Sequence, residues 1–304
     1  MKRMLWALVL ICFPLSGMAK DKAIGFGVPF GNSTESLGFA GAIEETLSNG
    51  PAAICVSKRG IWIADSVNQR VSLWGTKSKV KESREVPFAP AALWCNSEGH
   101  IWVMNGSRET AFFHNGVEPG STYPLPEKSA SFATGPSGDP WVVLSDGHGV
   151  PLLGKAGIKR SIPLGKDHAF HAIGRKSGTN TGEVLVWPWS SPAEVKRTGS
   201  MRTIKFEVEG LLGSITPLGM DNEGHLYVHV ESLAKTAPVR VQHQVFRVSR
   251  EGKRSHVEWT PSAIHPHLDG LHLTAAGQLF RFSSLAKQLM IQGFASKEWQ
   301  EGGR

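Results

Sequence analysis

The stretch Gly60-Ile61-Trp62-Ile63 recurs along the chain in altered form, each time as a glycine followed by a short apolar or aromatic strand. The glycines that begin successive copies lie 39, 39, 44, 42 and 53 residues apart. The five further copies are Gly99-His100-Ile101-Trp102-Val103, Gly138-Asp139-Pro140-Trp141-Val142, Gly182-Glu183-Val184-Leu185-Val186, Gly224-His225-Leu226-Tyr227-Val228 and Gly277-Gln278-Leu279-Phe280. A unit this short cannot bury its apolar face alone, so the copies must stack on one another.

Each copy reads as a set of short strands. In the first copy, strands are predicted over residues 51–56, 61–65, 71–74 and 80–86, with polar turns between them. No long amphipathic helical pattern occurs anywhere in the chain. Repeats of about 40 residues made of short strands are typical of β-propellers, with one blade per repeat. We therefore predict an all-β fold, a six-bladed β-propeller of four-stranded antiparallel blades.

The turn before the third strand of the first copy carries a recognisable motif. It reads Asp65-Ser66-Val67-Asn68-Gln69-Arg70-Val71. With the glycine turn and aromatic strand before it, this segment resembles the signature of NHL repeats over residues 51–74. The resemblance implies a propeller of the NHL-repeat-like family. The last four copies keep the glycine and the apolar strand but lose the Asn and Arg, so no subfamily is indicated.

The N-terminus has the pattern of an export signal. Met1-Lys2-Arg3 is basic, residues 4–15 are apolar, and Ser16-Gly17-Met18-Ala19 offers small residues for cleavage. We expect a signal peptide over residues 1–19 and export to the periplasm or the cell exterior. The apolar run is short for a membrane span, so no integral membrane segment is expected after cleavage. Residues 20–304 would then form a single propeller domain, expected to be a monomer.

The last copy lacks an obvious fourth strand, which would leave an open sheet edge. Residues 23–28 or residues 42–47, from the other end of the chain, can supply the missing strand. Joining the chain ends in this way removes the edge. We predict that the N-terminal segment closes the ring.

The charge of the chain argues against nucleic acid as a partner. The formal net charge is +7, and removal of Lys2 and Arg3 with the signal peptide leaves +5. The densest basic clusters, residues 77–81 and 250–254, are short. We interpret them as solvated hairpin tips, since a nucleic-acid surface needs a longer basic stripe.

Two cysteines remain after cleavage, on the predicted first strands of neighbouring blades. Aligning the turns of the two blades places Cys55 and Cys95 on opposite faces of adjacent sheets, where the side chains can face each other. An exported protein can keep a disulfide. Two interpretations stay open, a Cys55–Cys95 disulfide or two small buried apolar side chains.

Residue types that carry chemistry form no convergent set in the sequence. No Gly-x-Ser-x-Gly nucleophile motif, phosphate loop or dinucleotide fingerprint occurs. We therefore predict no catalytic residues and expect no cofactor. Twelve histidines keep a divalent metal possible. His171 and His272, on predicted first strands, are the candidate ligands because first strands line a propeller's central channel.

Two tryptophans stand outside the repeat. Trp187 and Trp189 flank Pro188 in the fourth copy, whereas Trp62 and Trp102 hold equivalent positions that we expect to pack between blades. Exposed aromatic side chains are common contact anchors, so Trp187 and Trp189 are candidate partner-binding residues. The predicted function is an exported protein-binding or scaffolding module with a protein partner in the cell envelope. The alternatives are a propeller enzyme, a hydrolase or lyase with a metal in the central channel, and carbohydrate or cell-wall binding through these tryptophans.

Overall fold

The structure, a computed structural model, describes most of the chain between residues 25 and 301. The named elements within the described ranges are all β-strands. No helix among the described residues is long and apolar enough to cross a membrane. The ranges are 25–41, 49–75, 77–96, 98–116, 119–134, 140–144, 148–153, 157–158, 162–163, 171–187, 202–221, 223–234, 240–249, 251–259, 261, 269–274, 276–295 and 298–301.

Two four-stranded antiparallel sheets follow the first strand of the chain, β1 (Gly25–Pro29), and coincide with the first two sequence repeats. Their strands pair in chain order, each with the next. The first sheet holds β2 (Pro51–Ser57), β3 (Gly60–Asp65), β4 (Arg70–Trp74) and β5 (Val80–Glu85), and the second holds β6 (Pro90–Cys95), β7 (Ile101–Asn105), β8 (Thr110–His114) and β9 (Ser121–Pro124). The predicted strands of the first repeat thus match β2 to β5 within a residue or two.

The glycine that opens the repeat is required by the backbone of the neighbouring strand. Gly60 has a φ of +144°. A Cβ atom at this position would lie 2.3 Å from the carbonyl oxygen of Trp74. Ile61 pairs directly with Trp74 across β3 and β4, so the two strands approach closely where the glycine lies. Only glycine combines this φ with the close approach.

The third and fourth sheets depart from the four-strand pattern in the part of the chain that the structure describes. The third adds two short strands that both pair with its third strand, and the fourth has three strands. The third sheet holds β10 (Ser129–Thr134), β11 (Pro140–Leu144), β12 (His148–Leu153), β13 (Gly157–Ile158) and β14 (Ile162–Pro163), and the fourth holds β15 (His171–Lys176), β16 (Thr181–Trp187) and β17 (Arg202–Glu207).

The last two sheets include strands from both ends of the described chain. The remaining strands are β18 (Leu211–Met220), β19 (Leu226–Leu233), β20 (Val241–Val248), β21 (Arg254–Trp259), β22 (Gly270–Leu273), β23 (Leu279–Ser284), β24 (Gln288–Gly293) and β25 (Gln300–Glu301). The fifth sheet has the order β18-β19-β20-β21-β25, and the sixth has the order β1-β24-β23-β22. Strand β1, which overlaps the predicted segment 23–28, pairs antiparallel with β24. The other predicted segment, residues 42–47, lies outside the described residues.

The apolar core lies between neighbouring sheets. The strand that opens each sequence repeat is called its first strand. These first strands contact one another in the succession β22, β2, β6, β10 and in the succession β15, β18, β22. Trp62 and Trp102, the tryptophans of the repeat, are almost completely buried, as expected for side chains that fill the space between sheets. One cluster joins the last sheet to the first through Phe26, Val28, Ile54, Ile61, Ile63, Trp74, Phe280, Phe282, Leu289 and Ile291.

The Asp-Asn-Arg motif of the first repeat anchors the segment that follows β1. The Asp65 carboxylate is fully buried and accepts a hydrogen bond from the backbone amide of Gly38, 2.9 Å away. Arg70 Nε donates to the same carboxylate at 2.9 Å, and its Nη2 donates to the backbone oxygens of Ser33 and Ser36. A buried ion pair that satisfies three backbone groups fixes the path of residues 33–38.

Candidate functional site

A cavity of about 1060 Å³ lies where the first strands meet. Strands β2, β6 and β22 supply most of its wall, and β10 and β18 contribute single side chains or pairs. The wall is built mainly from small and apolar side chains, with His272 and Asp269 among the few ionisable groups. Cys55 and Cys95 also line it.

The ionisable groups of the cavity wall are engaged by neighbouring strands. The Nε2 atom of His272 accepts a hydrogen bond from the backbone amide of Val56 at 3.2 Å. Burial lowers the pKa of His272 to about 4, so the ring is neutral at pH 7 and its Nε2 remains an acceptor. Asp269 receives a hydrogen bond from Arg281 Nη2 at 3.2 Å. These hydrogen bonds give both side chains a structural role.

The two cysteines of the wall face each other across neighbouring first strands. The Cα atoms of Cys55 and Cys95 lie 5.9 Å apart, and the two sulfurs are at bonding distance. The separation is within the range that a disulfide bridges. Of the two interpretations left open by the sequence, this geometry favours the disulfide, and a thiol count tests it.

The fifth sheet carries a second group of candidate residues on one face, near the end where β18 begins. Leu211, Leu233 and Val241 lie directly opposite one another across β18, β19 and β20. Leu211 is 46% exposed and Val241 37%, and among the described residues they are the large apolar side chains left exposed. Leu233 ends β19 and Val241 begins β20. We call these three residues the rim row.

A polar row lies next to the rim row on the same face. Ser214, Glu231, His243 and Trp259 are opposite one another across β18, β19, β20 and β21. Ser214 Oγ donates to Glu231 Oε2 at 2.7 Å, and Glu231 Oε1 lies 3.7 Å from His243 Nδ1. His229 precedes Glu231 by two residues on β19 and therefore shares its face.

The rings of this row adopt an ordered arrangement. His229 Nε2 and His243 Nδ1 are 2.9 Å apart, while the ring centroids are 5.1 Å apart and the planes differ by 8°. The two imidazoles therefore meet edge to edge in nearly one plane, and the two nitrogens are at hydrogen-bond distance. The indole of Trp259 is nearly parallel to both, with centroid distances of 5.8 Å to His229 and 5.4 Å to His243.

Burial of the polar row favours neutral imidazoles. Burial, and then the neighbouring His243, lower the pKa of His229 to about 4. Burial also lowers the pKa of His243, an effect that Glu231 opposes. From the sixth sheet, the Arg281 guanidinium lies 5.5 Å from the centre of the Trp259 ring. Both imidazoles are thus neutral at pH 7, each with one protonated and one unprotonated nitrogen.

A third group occupies the turn between β18 and β19. The Asp221 carboxylate accepts hydrogen bonds from the backbone amides of Glu223 and His225 and from the hydroxyl of Tyr227. His225 Nδ1 is 3.0 Å from the same carboxylate. Burial and Asp221 raise the pKa of Tyr227. This turn is held together by its own hydrogen bonds, which explains its composition without a ligand.

Of the site residues predicted from the sequence, the structure describes some side chains and leaves others undescribed. His171 and Trp187 are backbone partners at the ends of β15 and β16, and their side chains are outside the description. Trp189 lies outside the described residues. His272 lies in the cavity wall as expected for a first-strand residue, bound to Val56.

Sequence reasoning missed the polar row because its members are scattered over 46 positions of the chain, from Ser214 to Trp259. Strand β19 continues to Leu233, and β20 begins at Val241. The spacing His-x-Glu on β19 was the available signal, since residues two apart on a strand share a face.

The sequence matches no protein-family model and no curated protein. The fold is similar to that of a catalytically inactive variant of virginiamycin B lyase from Staphylococcus aureus with quinupristin, at 12% identity and a TM-score of 0.51 over 90% of this chain and 100% of that chain. It is similar to a streptogramin B lyase at 13% identity and a TM-score of 0.49, over 89% and 97% of the two chains. The BBS1N domain in complex with ARL6DN shares 11% identity at a TM-score of 0.40, over 81% and 91%. At this identity the first similarity shows the fold alone, a β-propeller with four-stranded antiparallel sheets.

Proposed function

We propose that the chain is an exported, NHL-like propeller of six blades that acts as a protein-binding or scaffolding module. The six sheets of the described residues are its blades, and β1 is the outer strand of the last one. The apolar cluster around Phe26 and Val28 supports this closure, because it joins the last sheet to the first. Closure by the N-terminal strand leaves no open sheet edge between the chain ends.

The rim row is the observation that carries the binding proposal. Leu211 and Val241 remain exposed at one end of the fifth sheet although the sheet beneath them is well packed. Exposed apolar side chains grouped at one edge are typical of contact sites for apolar side chains of another protein. Loops and rims supported by a rigid scaffold are common positions for binding. We propose that a protein partner of the cell envelope docks its apolar side chains here.

The cavity wall also favours binding over catalysis. Of its ionisable groups, His272 accepts from the Val56 amide and Asp269 accepts from Arg281. Neither contact leaves the group poised for proton transfer to a substrate. The proposals that Trp187 and Trp189 bind a partner, or a carbohydrate, rest on the sequence and are tested by replacing both with alanine.

A photo-crosslinking amino acid placed at Leu211 or at Val241 tests the binding proposal in cells of the producing organism. We expect a discrete crosslinked protein from each of these positions and none from Lys205, an exposed position on β17. The variant Leu211→Ser, with the crosslinker at Val241, should lose most of the product. Equal crosslinking from Lys205 would refute the proposal.

The proposed location has its own test. Export with cleavage after Ala19 predicts that the mature protein begins at Lys20 and is found in the periplasmic or extracellular fraction. The intact mass of the protein in each cell fraction gives both its N-terminal residue and its location. A full-length mass in the cytoplasmic fraction would refute export while leaving the binding surface untouched.

A further inference from the structure

We propose that His229, Glu231 and His243 bind one divalent transition-metal ion of the class that prefers imidazole nitrogen, such as Zn²⁺. Their three ligand atoms all lie within 4.8 Å of one another. The site lies on the fifth sheet between the rim row and the core, and it is separate from the cavity and from the candidate His171 and His272.

The backbone fixes the spacing of the three ligands. His229 and Glu231 are two residues apart on β19, and His243 lies directly opposite Glu231 on β20. Positions related in this way project from the same face of an antiparallel pair, with Cβ atoms about 5 Å apart. Paired strands on both sides hold β19 and β20 in register. The ligands are therefore brought together by the sheet itself.

The carboxylate is positioned as well. Ser214, on the other neighbour of β19, donates its hydroxyl hydrogen to Glu231 Oε2. This contact leaves Oε1 directed towards the imidazole of His243, 3.7 Å away. Residues that hold a ligating carboxylate commonly raise the affinity of a metal site. Ser214 is thus a positioning residue for the proposed site.

The donor set selects the class of metal. Two imidazoles and one carboxylate suit Zn²⁺ and its first-row neighbours, whereas Mg²⁺ and Ca²⁺ prefer oxygen ligands throughout. Three protein ligands leave a fourth tetrahedral position for water or for a group of a bound partner. Glu231, with 37% of its side chain exposed, marks the open side, and Trp259 covers the imidazoles on another.

Metal binding requires a small change in the rings. A bound ion lies in the plane of each imidazole at about 2.0–2.1 Å from nitrogen, so two coplanar rings with nitrogens 2.9 Å apart must tilt and separate slightly. The stacked indole of Trp259 reports such a tilt. Arg281, whose guanidinium lies over this indole, is paired with Asp269, and this pairing reduces its repulsion of the ion.

The experiment is titration of the purified, metal-stripped full chain with Zn²⁺ by isothermal calorimetry. We expect one ion per chain, bound at least about tenfold more weakly by His243→Gln and by Glu231→Gln. His225→Gln is the matched control, because His225 belongs to the group at the β18–β19 turn and should leave the affinity unchanged. Absence of binding, equal binding by His243→Gln, or a loss confined to His225→Gln would each overturn the proposal.

A second measurement tests the proposal on the wild-type chain, in case a ligand variant fails to fold. Co²⁺ added to the wild-type chain should give the intense visible absorption of a site with fewer than six ligands and should change the fluorescence contributed by Trp259, which the variant Trp259→Phe removes. Zn²⁺ should displace the Co²⁺ signal. A weak octahedral Co²⁺ spectrum together with unchanged fluorescence would overturn the proposal without reference to any ligand variant.

Discussion

His272 and Val56 join the last sheet to the first. The Nε2 atom of His272, on β22, accepts a hydrogen bond from the backbone amide of Val56, on β2, at 3.2 Å and across 216 residues of sequence. The contact lies in the wall of the cavity. Because an acceptor nitrogen must be unprotonated, this link between chain ends depends on pH.

Lowering the pH from 6.5 to 4 is expected to destabilise the fold through His272, whose pKa burial lowers to about 4. In the unfolded chain the imidazole titrates near about 6.5. Between these values the unfolded chain binds the proton and the folded chain does not. The free energy of unfolding therefore falls with falling pH, by up to about 3 kcal/mol. Urea unfolding at a series of pH values, with a chelator present, measures the slope.

The control for this prediction is His272→Gln, which removes the titrating group. The variant should show a shallower dependence on pH but not a flat one, because the pKa of His229 is also lowered to about 4. Identical slopes for wild type and variant would mean that His272 does not link folding to pH.

Breaking the buried pair of Asp65 and Arg70 should be costly. Arg70→Ala leaves a fully buried carboxylate without its cation, and we expect a loss of about 3–5 kcal/mol in the free energy of unfolding. Limited proteolysis should also cut residues 33–38 sooner, since Arg70 holds their carbonyl oxygens. Arg59→Ala, which breaks a surface pair with Glu82, should cost less than about 1 kcal/mol. Similar losses in both variants would contradict the anchoring role.

The Cys55–Cys95 disulfide predicts that the unreduced, denatured mature protein has no free thiol from this pair. With the cysteines separated by 40 positions in the sequence, the double variant Cys55→Ser/Cys95→Ser should lose about 4 kcal/mol of stability in the chain-entropy estimate. Reduced wild type is the matched comparison and should unfold like the variant. Two titratable thiols in the unreduced protein would refute the bond.

Gly60→Ala should destabilise the first sheet more than the same change at Gly116. Both glycines have positive φ, +144° and +91°, so both variants strain the backbone by about 1 kcal/mol. Only at Gly60 does the new Cβ also meet backbone, 2.3 Å from the Trp74 oxygen, whereas no atom lies within 4 Å at Gly116. We expect a further loss of about 2 kcal/mol or more, measured by urea unfolding. Equal losses would show that the strands adjust freely.

Much of the fold was accessible from the sequence because its signals are local. Gly60 marks a turn, and polar turn residues separate the short apolar strands, so strand positions in the first repeat were predicted closely. A missing fourth strand in the last repeat pointed to the N-terminal segment, and β1 pairs with β24. Blade number and export remain proposals.

The candidate site was not accessible in the same way. Trp187 and Trp189 stood out as tryptophans outside the repeat, whereas Glu231 and His243 look ordinary in the sequence. Their proximity depends on the register of β19 against β20. A shift of one residue would have turned one of them to the other face.

The sequence by itself determined the repeat, its strands and the glycine turns, because each depends on residues close in the chain. The tertiary structure alone decided which side chains meet. It placed His229, Glu231 and His243 within reach of one another, set the rim row beside them, and bound His272 to Val56. The physical reason is that strand register and the stacking of sheets bring together residues far apart in sequence, and no local pattern specifies both at once.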